Sequence, residues 1–243
     1  MSFIVTMYVR EGIVLASDSR LTLHVTQPEQ DSQQVVQLAV GQSDSTYKTF
    51  LALKRFGIST YGDAAISGVP IAGYIESFIS EHLSPGEYQI DQLPQEILNY
   101  FRNFEPIPNT AFHVAGYKKV NNIYEQHIWH VSVNENAANR INESGQQGAS
   151  WGGEGDILGR IIKPAFSRDP EGNFQTYPTY KIPYSFFTLQ DAIDFAIYAI
   201  RTTIDTIRFQ PRAKTVGGPI DVLVIKPEEA FWVQRKTLKG EIH

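Results

Sequence analysis

A chain of 243 residues with a formal net charge of −5, 42% hydrophobic and 12% aromatic, is long enough to bury a sizeable core as one domain. Its charge offers no electrostatic surface to nucleic acid or to an anionic membrane, so neither is an expected partner. It has no cysteine, which excludes disulfides, thiolate nucleophiles and thiolate metal sites, so covalent chemistry needs an oxygen or amine nucleophile. No apolar run reaches the roughly 20 residues that span a bilayer, and no basic segment precedes an apolar signal core at the N-terminus. A cytoplasmic protein is expected.

The first twenty residues organise the chain. Two β-branched and aromatic runs, Phe3 to Val9 and Ile13 to Ser17, flank Arg10-Glu11-Gly12 and predict a buried hairpin. Removal of Met1 would leave a free α-amine on Ser2 beside its own hydroxyl, a nucleophile with a built-in base. Leu21 to Val25 and Val35 to Val40, separated by turn residues, predict a second hairpin, and Thr49 to Leu53 with Gly57 to Tyr61 two further paired strands.

The period then changes. Ile71, Tyr74, Ile75, Phe78, Ile79 and Leu83 recur at helical spacing, with Asp63 placed as the N-cap, and Ile90 to Phe101 predicts a shorter second helix. Thr110 to Tyr117, Ile123 to Val133 and a short run near Arg140-Ile141 read as strands, with a turn at Asn121-Asn122. Gly148 to Asp156 reads as a glycine-rich strand-to-helix turn before a helical stretch at Ile157 to Ile162. It lacks the Lys-Ser/Thr pair of a phosphate loop and a full dinucleotide fingerprint, so no cofactor is expected. Residues 167–186 predict an irregular loop whose tyrosines and phenylalanines pack locally or against another subunit. Asp191 to Ile207 is the clearest helix, with one stripe of Ile193, Ala196, Ile197, Ile200, Ile204 and Ile207. Val222 to Ile225 and Ala230 to Val233 predict a closing hairpin.

Strands, two helices, strands, two helices and strands, with continuously apolar strands, predict an α+β chain with two stacked, mainly antiparallel sheets and a helix layer on each outer face. This four-layer αββα sandwich is expected to occupy 1–243 as a single domain. His127 and His130 fall on opposite faces of one strand, which argues against a shared metal, and no metal site is expected.

Three stretches resemble the N-terminal nucleophile hydrolases of the proteasome β-subunit type, over nearly the whole chain: Arg10-Glu11-Gly12-Ile13-Val14-Leu15-Ala16-Ser17-Asp18-Ser19-Arg20, Tyr61-Gly62-Asp63-Ala64 and Gly217-Gly218-Pro219-Ile220-Asp221-Val222. The first and last look most like the bacterial Anbu branch. The resemblance implies an N-terminal serine hydrolase that cleaves amide bonds, with Ser2 as nucleophile in place of the family's threonine, Asp18 as its acidic partner and Lys48 as its lysine, Lys54 being a rival. It maps the oxyanion-donating amide to Ser59 and sets an extended peptide substrate against Thr22 and Tyr61, beside Arg20. It also implies self-association into rings or open spirals. Where catalytic β-subunits carry a further Asp and Ser near the amine, this chain has Ala213 and Val216, and the serine of the family's Gly-Ser-Gly turn is replaced within Gly152 to Gly155. Two alternatives follow: an assembly subunit without catalysis, and an amidase or acyl transferase acting on a small amide.

Overall fold

The computed structural model describes residues 2–28, 35–143, 145–178 and 180–238, with 23–28 and 35–40 as backbone alone. In chain order the strands are β1 (Phe3–Val9), β2 (Gly12–Ser17), β3 (Leu21–Pro28), β4 (Val35–Ser43), β5 (Thr49–Ala52), β6 (Phe56–Gly62), β7 (Ala65–Ile66) and β8 (Val69–Pro70), then β9 (Thr110–Val120), β10 (Ile123–Ser132), β11 (Ala137–Arg140), β12 (Gly148–Gly153), β13 (Phe166–Arg168), β14 (Phe174–Thr176), β15 (Asp221–Ile225) and β16 (Ala230–Gln234). The helices are α1 (Ile71–Ser77), continued by a π-helical segment Phe78–Leu83, α2 (Leu93–Phe101), α3 (Asp156–Ile162) and α4 (Leu189–Phe209).

Two five-stranded antiparallel sheets dominate, ordered β12-β1-β2-β15-β16 and β11-β10-β9-β6-β5. Every residue of β1 and β2 is buried because each strand has a covered surface on both sides. Phe3, Val5, Met7, Val9, Val14 and Ala16 join Val222 and Val224 in the core beneath α3 and α4. Tyr8, Ile13, Leu15, Leu223 and Ile225 point the other way, onto Ala115 and Ile128 of the second sheet. The outer face of that second sheet, with Phe112, Val114 and Val131, is covered by Ile75, Phe78, Ile97 and Phe101. The result is the predicted helix, sheet, sheet, helix stack. Between the sheets Thr6 bonds His113 Nδ1 at 2.9 Å, and burial lowers the His113 pKa to about 3, so the ring is neutral.

Local chemistry accounts for the boundaries. Asn121 and Asn122 both have positive φ (49° and 64°), the conformation of a two-residue hairpin turn whose twist matches the flanking strands. Thr188 caps α4 reciprocally with Asp191, a complete capping box. The structure corrects the expected cap at Asp63. The chain first forms the small β7–β8 hairpin through Ser67-Gly68, both at positive φ, and α1 begins only at Ile71. The Asp63 carboxylate instead accepts the Asn109 N–H at 2.7 Å. The glycine-rich segment is also different from the expected turn: residues 148–153 form strand β12, paired along β1, and only Gly155 sits at the start of α3. Its glycines admit bulky neighbours, since a Cβ at Gly152 would lie 2.2 Å from the Tyr61 ring and one at Gly148 2.8 Å from the Tyr8 hydroxyl. Within the expected irregular loop, β13 and β14 form a short ribbon, followed by one 3₁₀ turn at Tyr184–Phe186.

Candidate active site

Asp18 follows the last residue of β2, where the strand leaves the sheet next to the start of β1. Its side chain is completely buried and accepts four hydrogen bonds, which fills a carboxylate on both oxygens. Oδ1 takes the Phe3 N–H at 3.0 Å and the Lys48 ammonium at 2.7 Å, and Oδ2 takes the Arg20 N–H at 3.1 Å and the Gly217 N–H at 3.0 Å. One carboxylate thus joins the residue after Ser2, the Lys48 ammonium and the Gly217 loop. Asp18 N–H returns a bond to the Phe3 carbonyl at 3.2 Å.

Lys48 stands immediately before β5, and its side chain is only 4% exposed. Burial pushes its pKa below the ordinary lysine range, the Asp18 charge and hydrogen bond oppose that, Lys236 adds to the lowering and Asp44 opposes it. Lys54 lies elsewhere, exposed in the β5–β6 turn at φ 57°. Lys48 is therefore the lysine placed against Asp18.

Ser2 is 5% exposed, and its carbonyl accepts the Glu154 N–H at 2.9 Å. Gly153 (φ +88°) passes so close that a Cβ there would lie 1.7 Å from the Ser2 carbonyl oxygen, so only glycine fits. Gly153 also lines an open cleft of roughly 890 Å³, together with Tyr61, Trp151, Gly155 and Lys163.

The Ser59 amide does not face this space. The neighbouring Thr60 N–H bonds the Lys48 carbonyl at 2.9 Å, and alternation along β6 turns the Ser59 N–H the other way, towards His113 of β9. The better-placed donor is Gly62. The Tyr61 carbonyl points to β9, accepting the Thr110 hydroxyl at 2.9 Å, so the trans peptide directs the Gly62 N–H to the Lys48 side, beyond Thr49, the first residue of β5. The Ser59 side chain has a separate use: it donates to Thr49, which donates to Ser17, both at 2.9 Å, in a buried row of hydroxyls next to Asp18 and Lys48.

The three expected substrate contacts have different surroundings. Arg20 is held by the protein itself: its guanidinium grips both oxygens of Asp44 at 2.6 and 2.7 Å, reaches the Lys214 carbonyl at 3.3 Å and packs over Gly217. That hydrogen-bonded pairing holds the Asp44 pKa below the usual carboxylate value. Thr22, near the start of β3, is buried, and its hydroxyl has no partner among the described residues. Tyr61 stands over Gly152, with its hydroxyl 2.8 Å from His130 Nε2.

Two features were missed in the sequence. Glu154 accepts the buried Thr215 hydroxyl at 3.0 Å and an Arg212 contact at 3.4 Å while its own N–H bonds the Ser2 carbonyl, so one residue ties Ser2 to the segment that carries Ala213 and Val216. Glu154 occupies the glycine-rich segment in which the family's serine is replaced, which was the available signal. The second is an ion pair between Asp221 and Lys236, with side chains 0% and 4% exposed. Asp221 belongs to the quoted Gly-Gly-Pro-Ile-Asp stretch, whereas nothing in the local sequence marks Lys236.

Structural comparison relates the fold to solved structures. An Anbu structure from Hyphomicrobium sp. strain MC1 superposes with a TM-score of 0.58 at 16% identity, over 97% of this chain and 88% of the other. A Gly-1 mutant of Anbu from the same strain superposes at 0.60 and 16% identity, over 97% and 86%. The chain has the Anbu fold. No protein-family model matches it, and neither does any curated protein. On the Anbu fold, the two sheets bring together the end of β2, the start of β5 and the start of β1, and Asp18, Lys48 and Ser2 occupy those three places. No helix among the described residues is long and apolar enough to cross a membrane.

Proposed function

We propose that this chain is an N-terminal serine hydrolase of amide bonds, acting on peptides in the cytoplasm, with Ser2 as nucleophile once Met1 is removed. The observation that carries the reading is the buried Asp18 carboxylate, shared between the Phe3 amide and the Lys48 ammonium. A carboxylate so placed holds a cation beside the residue that follows the nucleophile, in surroundings dry enough for that charge to act strongly.

In this mechanism the Ser2 hydroxyl attacks the substrate carbonyl and its proton passes to the α-amine, whose intrinsic pKa of about 7.7 to 8.0 suits a base near neutrality. The Lys48 ammonium keeps that amine neutral by repulsion and stabilises negative charge on Oγ. The Gly62 N–H, in place of the Ser59 amide, donates to the oxyanion. The α-ammonium returns the Ser2 hydroxyl proton to the leaving nitrogen as the tetrahedral intermediate collapses, which expels the amine product, leaves an ester on Ser2 and frees the α-amine to act as base again when water hydrolyses the ester. An extended peptide lies in the cleft beside Tyr61 and Gly153, and copies of the chain assemble into a ring or spiral.

The test begins with the intact mass of natively expressed protein. Loss of Met1 followed by a stoichiometric adduct from a β-lactone or epoxyketone, absent in Ser2→Ala and retained in Ser19→Ala, is the expected result. Retention of Met1, or labelling that survives Ser2→Ala, would overturn it. A non-catalytic assembly subunit is the second reading, favoured by the apolar Ala213 and Val216 where catalytic β-subunits have Asp and Ser. It predicts assembly without any adduct. Adduct formation without cleavage of a peptide library would point to a small amide as substrate.

A further inference from the structure

The buried Asp221–Lys236 pair has no part in the mechanism above, and its charges are withdrawn from solvent at evident cost. Its attachments run to both partners of the Asp18–Lys48 pair. Asp221 opens β15 directly opposite Ser17, the residue before Asp18. Lys236 follows β16, donates its backbone N–H to Asp221 Oδ1 at 2.7 Å, bonds Asp221 Oδ2 through Nζ and lays that ammonium 4.2 Å from the centre of the Tyr47 ring. Tyr47 is the residue before Lys48. Its hydroxyl returns a bond to the Lys236 carbonyl at 3.3 Å, and the Arg235 guanidinium packs on the same ring at 4.8 Å. Gln234 anchors the segment on the Ile220 carbonyl at 2.7 Å.

We propose that the Asp221–Lys236 pair is a positioning element for Lys48: it clamps Tyr47 behind the Lys48 backbone, and its ammonium draws on the same Asp18 carboxylate that holds the Lys48 ammonium. The inference rests on the functional reading only for its catalytic consequence. Lys48 is paired with Asp18 and Lys236 with Asp221, and the two pairs are joined through adjoining residues, Asp221 standing opposite Ser17 and the Lys236 ammonium lying on the Tyr47 ring. Lys236 feels the Asp18 charge and Lys48 feels Lys236, each in the direction this arrangement requires. The other charged group facing Lys48 is Asp44, which is held by Arg20, while Arg235 packs on the Tyr47 ring. A lysine with a full carboxylate to itself keeps its proton to higher pH than one that shares it.

The measurement is the titration of the Lys48 ammonium by ¹⁵N NMR on full-length protein with labelled lysine, the signal being assigned by its loss in Lys48→Arg. In D221N/K236M, which removes both charges of the second pair and leaves no orphan ion, Lys48 titrates at higher pH than in the unsubstituted protein. In K236R, which keeps the cation, its titration stays where it was. An apolar replacement, D221L/K236M, repeats the charge removal should the first variant fail to fold, as judged by circular dichroism. A Lys48 titration unchanged in a folded charge-removed variant overturns the inference, as does an equal shift in K236R.

The same samples treated with the β-lactone separate the two proposals. A Lys48 shift without any Ser2 adduct leaves this inference standing and sinks the hydrolase reading. An adduct without a shift does the reverse. Where both hold, the alkaline limb of the adduct-formation rate moves to higher pH together with the NMR titration.

Discussion

Replacing Asp18 by asparagine removes one charge from a place with no solvent to compensate it. Asp18 is 0% exposed and Lys48 is 4% exposed in its side chain, so the variant leaves an ammonium buried without its counter-ion. The geometry offers the amide no good orientation. An NH₂ placed at Oδ1 faces the Phe3 N–H and Lys48, and one placed at Oδ2 faces the Arg20 and Gly217 N–H groups, so two donors confront a donor either way. Breaking a buried pair by removing one partner costs about 3–5 kcal/mol, a large part of the total stability of a domain. Urea unfolding followed by circular dichroism should therefore show a loss of about 4 kcal/mol, or a midpoint lower by about 1.3 M for a slope near 3 kcal/mol/M. The double variant D18N/K48M leaves no unpaired charge and should recover at least half of that loss, a coupling that a double-mutant cycle isolates. The pH dependence has a definite sign. The folded-state pKa of Lys48 lies below its unfolded value of 10.5 and falls further without Asp18, so the unfolded chain binds more protons between the two values and D18N gains stability as pH rises through that window. A loss below about 1 kcal/mol in D18N, or a double variant no more stable than the single, would refute the claim that Asp18 and Lys48 form a dry, coupled pair.

Gly153→Ala sets a Cβ against the Ser2 carbonyl in a left-handed conformation, and should abolish the Ser2 adduct while lowering the melting temperature; a variant labelled at the normal rate would show that Ser2 is not held by this contact. Thr188→Ala removes the cap of α4 far from the cleft, and should cost about 1 kcal/mol in chemical denaturation without changing adduct formation. His113, with a pKa of about 3 when folded and 6.5 when unfolded, makes stability fall as pH drops from 6.5 to 3. His113→Gln should flatten that slope by about 1.4 kcal/mol per pH unit, and an unchanged slope would mean that another group controls acid unfolding.

The layer order was legible in the sequence because each layer leaves a local signature. Strands such as Val222–Ile225 are apolar throughout because they are covered twice, and α4 carries one stripe because it is covered once. Errors arose where a local signal had two readings. Asp63 is a good capping residue at a plausible distance from a helical pattern, but Ser67-Gly68 turns the chain before the helix begins, and Asp63 is drawn to Asn109 instead. Glycines 148, 152, 153 and 155 have the composition of a phosphate-binding turn; what they accommodate is Tyr8, Tyr61, the Ser2 carbonyl and Trp151, and the first three of these neighbours come from distant parts of the chain.

The site divides in the same way. Ser2 and Asp18 could be related because gapless spacing joins them along the first motif, and Lys48 is assigned by the apolar strand that follows it, with Lys54 as a rival that only the fold removes. The Ser59 amide could not be judged from sequence, since whether an N–H faces one neighbouring strand or the other depends on a register that shifts by one residue without altering composition. Lys236 is the extreme case. It is a single lysine after an edge strand, in a stretch containing Arg235 and Lys239, and it matters only because β15 lies between β2 and β16 and thereby sets Asp221 across from Ser17. A charge whose partner is 15 residues away and whose effect falls on Lys48, a residue of the other sheet, leaves no pattern in the chain around it. The fold creates the relation, so only the folded arrangement joins the Asp221–Lys236 pair to Asp18 and Lys48.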